Sequence, residues 1–265
     1  MHDFFTGNAL KEIIEAKTKR ITPLIEHGIS VDEQKEKIKE FENKKLYFNF
    51  KEKILHNISE NKFSIIAEMK KKSPSAGLIV NNYNALEIAK IYDNNKATCL
   101  SVLTEEDYFG GDVSDMKFIK DNGIKLPILC KDFIFHKWQL YHARSHGADA
   151  ILIILAAVGK QADELYEEAL KLNLSVIVEV HTIEEAKYAL KFKEALIGIN
   201  NRNLKTLKTE INTTYEINNV LIDFKGPLIS ESGIKNKEEL LDINFKTKIK
   251  TFLIGESLLK NLDNN

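Results

Sequence analysis

Glu68 and Lys70 stand two residues apart at the end of the apolar run FSIIAEMK. Lys131 ends LPILCK, Glu179 lies near the end of LSVIVEV, Asn200 and Arg202 come at the end of ALIGIN, and Glu231 ends GPLISE. An ionisable group inside a buried strand has a desolvation cost and needs a partner or a task. Side chains alternate along a strand, so Glu68 and Lys70 share a face while Met69 points the other way. A carboxylate and an ammonium projecting into one mouth supply the acceptor and donor that general acid and base catalysis requires. Any one of these residues alone reads as a structural ion pair or a lysine reaching for water. Five strands with the same placement read as a site.

A second group of residues suits an anion. Ser73-Pro74-Ser75-Ala76-Gly77 leaves the first of these runs, Ser230-Glu231-Ser232-Gly233-Ile234 leaves another, and Ile254-Gly255-Glu256-Ser257 leads into the last helix. Glycine lets backbone N–H groups approach a phosphate, and a helix N-terminus adds positive potential. Phe109, beside Gly110 and Gly111, and Phe133, just after Lys131, suit an aromatic wall for a planar substrate. His181 has no second ligand at metal spacing and reads as a helix-start residue. His136, His142 and His146 share one helical segment and read as structural or solvated. Cys99 and Cys130 form no CxxC, so neither a disulfide framework nor a zinc site is indicated, and no metal is expected.

These residues must be held by eight β-rich runs, starting at Phe63, Ala97, Leu126, Ala148, Leu174, Ala195, Gly226 and Ile249. The stretches between them carry the helical period: Ala85, Ile88, Ala89 and Tyr92 in one, Ala162, Leu165, Ala169 and Leu172 in another, Ile183, Ala186 and Leu190 in a third. Pro127 and Pro227 sit at strand starts, and Gly123 and Gly147 fall where helices should stop. Eight β/α units in series close most simply into a (β/α)₈ barrel, whose catalytic groups lie at the C-terminal strand ends and whose phosphate sites use the loops after strands 7 and 8. The expectation is therefore an α/β protein of one domain over residues 1–265. It comprises an N-terminal helical extension (1–50), packed on the barrel through Ile13, Ile14, Ile21 and Leu24, and a TIM barrel (63–262) closed by a short helix from Glu256 to Leu262.

The 265 residues carry 38 basic and 39 acidic groups, a net charge of -1, so no positive field favours nucleic acid or an acidic membrane. The longest apolar run, Ala150 to Val158, is far short of the roughly 20 residues needed to cross a bilayer. The N-terminal stretch has no secretory pattern, so a cytoplasmic location is expected. Arginine occurs only at positions 20, 144 and 202. A forked guanidinium among so many lysines marks Arg202 for carboxylate recognition.

The segments Ile66-Ala67-Glu68-Met69-Lys70, Ser73-Pro74-Ser75, Lys131-Asp132-Phe133, Glu179-Val180-His181, Gly198 to Leu204, Glu231-Ser232-Gly233-Ile234 and Ile254-Gly255 resemble, in order, the indole-3-glycerol-phosphate synthase family of tryptophan biosynthesis. The resemblance implies a barrel that converts 1-(2-carboxyphenylamino)-1-deoxyribulose 5-phosphate to indole-3-glycerol phosphate, CO₂ and water, without cofactor or metal. It implies Lys131 as the acid for ring closure and Glu179 as stabiliser of the cationic intermediate, with Glu68 and Lys70 acting in dehydration and in holding the substrate carboxylate. Asn200 and Arg202 would orient substrate polar groups, and Glu231 would position the lysines. Ser73, Ser232, Gly233, Ile234, Gly255 and Glu256 match the phosphate grip, with the Glu256 carboxylate turned away, and Phe109, Phe133 and Leu204 match the wall around the aromatic ring. A chain of this length has no room for the isomerase barrel fused to some relatives, so a monofunctional protein is expected, with a monomer as its expected state. Two alternatives are another phosphate-gripping barrel of the pathway, such as phosphoribosylanthranilate isomerase, and a catalytically retired barrel that binds a phosphorylated metabolite. The first would want a cysteine and aspartate pair that neither Cys99 nor Cys130 provides; the second would be expected to have lost a charged group.

Overall fold

The structure, a computed structural model, describes residues 9–74, 76–204, 206–255 and 257–259. Eight parallel strands, β1 (Ser64–Met69), β2 (Cys99–Leu103), β3 (Ile128–Lys131), β4 (Ala150–Ile154), β5 (Ser175–Val180), β6 (Leu196–Asn200), β7 (Leu228–Glu231) and β8 (Thr251–Ile254), pair in sequence order. β8 pairs back onto β1, closing the barrel. Each strand falls inside the run expected from sequence. Beyond them, Lys72–Ser73 and Gly77–Leu78 form a small antiparallel ribbon in the loop after β1.

Three helices precede the barrel: α1 (Ala9–His27), α2 (Val31–Asn43) and α3 (Phe50–Ser59). Further bounded helices among the described residues are α4 (Ala85–Asn94), α5 (Ser114–Asp121), α6 (Lys137–Ser145), the single-turn α7 (Leu155–Val158), α8 (Ala162–Lys171), α9 (Ile183–Ala189), α10 (Asn212–Val220) and α11 (Lys237–Thr247). The expected stripes are buried in α4 (Ala85, Ile88, Ala89, Tyr92) and α8 (Ala162, Leu165, Ala169). In α9 the buried residues are Ala186 and Ala189, and Ile183 is exposed, because Ile183 is the first residue after the Thr182 cap and faces out. Past Gly255 only residues 257–259 of the expected closing helix are described, and Glu256 lies outside the described residues.

The apolar interior is divided in two, as a closed sheet requires: one cluster lies between strands and helices, the other fills the barrel. The fully buried Phe50 and Ile54 of α3 belong to the inner cluster with Ile66, Cys99, Leu129, Ala150 and Leu196. The Lys51 N–H donates to Ser175 Oγ and the Asn57 amide to Thr98 Oγ1, so α3 plugs the N-terminal end of the barrel. Buried Asp149 fastens the same end, accepting from Lys120 Nζ at 2.5 Å, the Phe48 N–H at 2.7 Å and the Ile128 N–H at 2.9 Å. α1 goes to the other face. Its buried Lys17 donates to Glu106 (3.0 Å) and Asp132 (2.8 Å), and Arg20 pairs with Asp107, so the helix is tied to the loops after β2 and β3.

Candidate active site

Strands β1, β3, β5 and β7 each send one charged side chain inward at the C-terminal end: Glu68, Lys131, Glu179 and Glu231. Four side chains from alternate strands make one layer of such a barrel, and here the layer is polar. Lys131 Nζ lies 2.8 Å from Glu231 Oε2, 3.7 Å from Glu68 Oε2 and 3.9 Å from Glu179 Oε2. The neighbouring strands make room by omitting side chains. A Cβ on Gly198 of β6 would stand 2.1 Å from Glu231 Oε1, and one on Gly255 after β8 would stand 2.5 Å from Glu68 Oε1. Lys70, one step above Glu68 on the same face, pairs with it directly.

Three buried carboxylates around one ammonium set the protonation pattern. Burial alone would lower Lys131, but Glu231, Glu68 and Glu179 raise it well above the ordinary lysine value. Burial would raise Glu68, and Lys70, Lys131 and Arg202 more than reverse this, leaving it below the usual carboxylate range. Glu179 is likewise opposed by burial and pulled down to about 2 by His181, Lys131 and Asn200. Glu231 goes the other way: burial, with Glu179 and Glu68 nearby, outweighs Lys131 and pushes it up to about 7. The site thus holds a firmly protonated lysine, two ionised carboxylates and one that titrates near neutrality.

Two cavities open above this layer and share Glu68, Lys70, Arg202 and Ser232. The first, about 110 Å³, reaches Lys131, Glu179 and Asn200 on its polar side. Its apolar wall comprises Phe109, Phe133, Leu204, Leu103 and Ile154, with the two phenyl rings 6.3 Å apart. The second, about 480 Å³, is lined by Ser232, Gly233, Ile234, Gly255 and Ser257. Ser232 (φ 64°) and Gly233 (φ 84°) both lie in the left-handed region, and a Cβ on Gly233 would meet Thr209 Cγ2 at 2.6 Å. Consecutive backbone groups in such a turn make an anion-binding concavity. Arg202 lines both cavities, with its Nε 3.4 Å from Thr209 Oγ1.

Most of the residues singled out from sequence converge here. Glu231 lines neither cavity; it is fully buried beneath Lys131. Ser73 is buried and also lines neither, its hydroxyl accepting the Ala76 N–H. Sequence reasoning missed three contributions. Ala9, Leu10 and Ile13 of α1 line the first cavity, so the extension forms part of the site wall as well as packing on the barrel. Thr209 and Lys235 line the second. His181 lies 3.2 Å from Glu179, a contact foreshadowed only by their spacing of two residues. Burial and Asp132 push the Cys130 thiol up to about 12, and burial holds Cys99 well above its usual value, so neither is a ready acid or base. Among the described residues no cluster of His, Cys, Asp or Glu suits a metal ion, and no helix is long and apolar enough to cross a membrane.

In architecture the chain is similar to a tryptophan synthase alpha-subunit mutant from Pyrococcus furiosus (TM-score 0.58, 12% identity, 77% of this chain and 91% of that one). It is also similar to a phosphoribosylanthranilate isomerase from Thermotoga maritima (TM-score 0.53, 12% identity, 74% and 88%). At such identities the likeness concerns the fold alone. In sequence it is 40% identical over 253 residues to an indole-3-glycerol phosphate synthase from Aquifex aeolicus, covering 95% of this chain and 93% of that protein. To the Clostridium acetobutylicum protein of the same name it is 39% identical, covering 89% and 87%. The model of the family described as indole-3-glycerol phosphate synthase matches residues 10–265. With that match spanning the barrel and its N-terminal helices, the chain belongs to the indole-3-glycerol phosphate synthase family.

Proposed function

We propose that the protein is a carboxy-lyase of tryptophan biosynthesis that closes the indole ring of 1-(2-carboxyphenylamino)-1-deoxyribulose 5-phosphate. The observation that carries this reading is the placement of Lys131 among Glu68, Glu179 and Glu231, under an aromatic-walled cavity continuous with a backbone-lined one. The aryl ring sits against Phe109, Phe133 and Leu204, and the phosphate is held by the N–H groups of Ser232, Gly233, Ile234 and Gly255. The substrate carboxylate meets Lys70 and Arg202, whose guanidinium can bind it with two parallel bonds.

Ring closure joins the ring carbon bearing the carboxylate to the ketone carbon. The forming alkoxide takes its proton from Lys131, and the cationic ring is stabilised by ionised Glu179, which Asn200 helps to orient. Carbon dioxide then leaves and returns its bonding electrons to the ring. The new hydroxyl departs as water, with Lys70 giving a proton to the leaving oxygen and ionised Glu68 taking the proton that the adjacent ring methylene loses, which completes the indole double bond. Because three carboxylates hold the proton on Lys131, it transfers only to a group as basic as this alkoxide. The protein acts on a small phosphorylated molecule in the cytoplasm, with neither nucleic acid nor membrane as partner. Incubating purified protein with the carboxyphenylamino substrate should generate indole fluorescence and one CO₂ per product. A folded, pure protein that yields neither would end this reading.

A further inference from the structure

His181 follows β5 and is enclosed, with its side chain 9% exposed. Its Nε2 lies 3.2 Å from Glu179 Oε1 and its Nδ1 3.5 Å from Glu185 Oε2. Both ring nitrogens thus face carboxylates, and a charged imidazolium alone can serve two such partners at once. We propose that His181, clamped by Glu185, is a positioning residue for Glu179: it pins one carboxylate oxygen and leaves the other turned toward Lys131 and the reacting ring. The inference rests on the role proposed above for Glu179.

Three observations support it. Glu179 Oε2 and both His181 ring nitrogens have no hydrogen-bond partner among the described residues, so Glu179 is held by ion contacts, with Oε1 facing His181 Nε2 at 3.2 Å and Oε2 facing Lys131 at 3.9 Å. Glu185 is held in place independently: its N–H donates to the Thr182 hydroxyl that caps α9, and its carboxylate accepts the His181 backbone N–H at 2.7 Å. Helix capping explains those two bonds but not an imidazole between two carboxylates. Finally, a cavity of about 420 Å³ borders His181, Glu185 and Asn200, so the ring separates Glu179 from a second opening to solvent.

The charged groups facing the ring are Glu179 of β5 and Glu185 of α9, with Lys131 of β3 beyond Glu179. Among the described residues, α1 and the segment after β6 give the cavity Leu10, Asn203, Leu204 and Thr213, which do not titrate. Burial lowers the imidazole, and the two carboxylates overcome this and raise it to about 9. The cation therefore persists through the neutral range and keeps Glu179 ionised.

The test combines steady-state kinetics between pH 5 and 9 with NMR titration of the His181 ring in wild type, His181→Gln, Glu185→Gln and Glu179→Gln. In His181→Gln kcat should fall about tenfold across that range while KM stays within about threefold, because Glu179, still ionised above pH 5, loses its fixed orientation. In Glu185→Gln and in Glu179→Gln the His181 midpoint should fall by about a unit. A folded His181→Gln protein with the wild-type kcat would overturn the proposal, as would a wild-type His181 that titrates at an ordinary value. Should His181→Gln fail to fold, the midpoint in Glu185→Gln decides: a fall supports the clamp and an unchanged value rejects it. A fully active Glu179→Gln protein would instead reject the catalytic role of Glu179, while the NMR midpoints still report whether the pair exists.

Discussion

Gly198 on β6 faces Glu231 on β7 so closely that a methyl group at position 198 would stand 2.1 Å from Glu231 Oε1 and 3.1 Å from Ile177 Cγ2. The missing side chain is the space in which the carboxylate reaches Lys131. Gly198→Ala should therefore displace Glu231, break its 2.8 Å bond to Lys131 and lower kcat well below wild type. Overpacking of this kind costs about 1–3 kcal/mol. Adding Glu231→Ala should recover much of the lost Tm and none of the activity. If Gly198→Ala is as stable and active as wild type, the packing argument fails.

Lys131→Met removes the proposed acid and also the charge that faces three buried carboxylates. A positioned general acid contributes about 10²–10⁴ in rate, so kcat should fall by at least that range. Breaking a buried ion pair by removing one partner costs about 3–5 kcal/mol, so a lower Tm should accompany the loss. Without the lysine the carboxylates bind protons more tightly in the folded state, so the variant should regain Tm as the pH is lowered from 8 to 5. Thermal melts across that range, with single-turnover kinetics, separate the two effects. Turnover within about tenfold of wild type would move the acid role to Lys70.

Glu231 gives the wild type its own pH signature. Its folded value, about 7, lies above the ordinary 4.5, so the folded state binds the extra proton between those limits. The stability this proton contributes is fully present below about 4.5 and is lost as pH rises through about 7. Glu179, pulled down to about 2, contributes in the opposite sense: its stabilisation is present above 4.5 and is lost as pH falls through 2. Glu231→Gln should flatten the dependence of Tm on pH between 5 and 7.5, and an unaltered slope in that variant would rule out this assignment.

The backbone turn at Ser232-Gly233 should hold the substrate phosphate. Crystals soaked in phosphate should place the anion against the N–H groups of Gly233 and Gly255, at the C-terminal strand ends. Gly233→Ala combines a φ of 84° with a Cβ 2.6 Å from Thr209 Cγ2, so it should raise KM about tenfold or more with a smaller change in kcat. An anion that settles only at the α3 end of the barrel would contradict the assignment.

The eight strands, their order and the charged residues at their C-terminal ends are legible in the chain before it folds. These are local properties: hydrophobic period marks a strand, and a carboxylate at the end of a buried strand is conspicuous because burial without purpose is costly. Gly233 and Gly255 were legible as phosphate-loop residues, but the steric reason for Gly198 and Gly255 was not, because it lies in carboxylates of other strands. Tertiary structure alone decided that Lys131, rather than Lys70, stands among three carboxylates, since this depends on the register of strands around a closed barrel. It alone brought α1 over the mouth, through Lys17 and an aspartate 115 residues away. It alone turned His181 from a residue before a helix into a neighbour of Glu179. Contacts of that separation leave no periodic trace in the chain, because the partner that gives each residue its task is supplied only when the barrel closes.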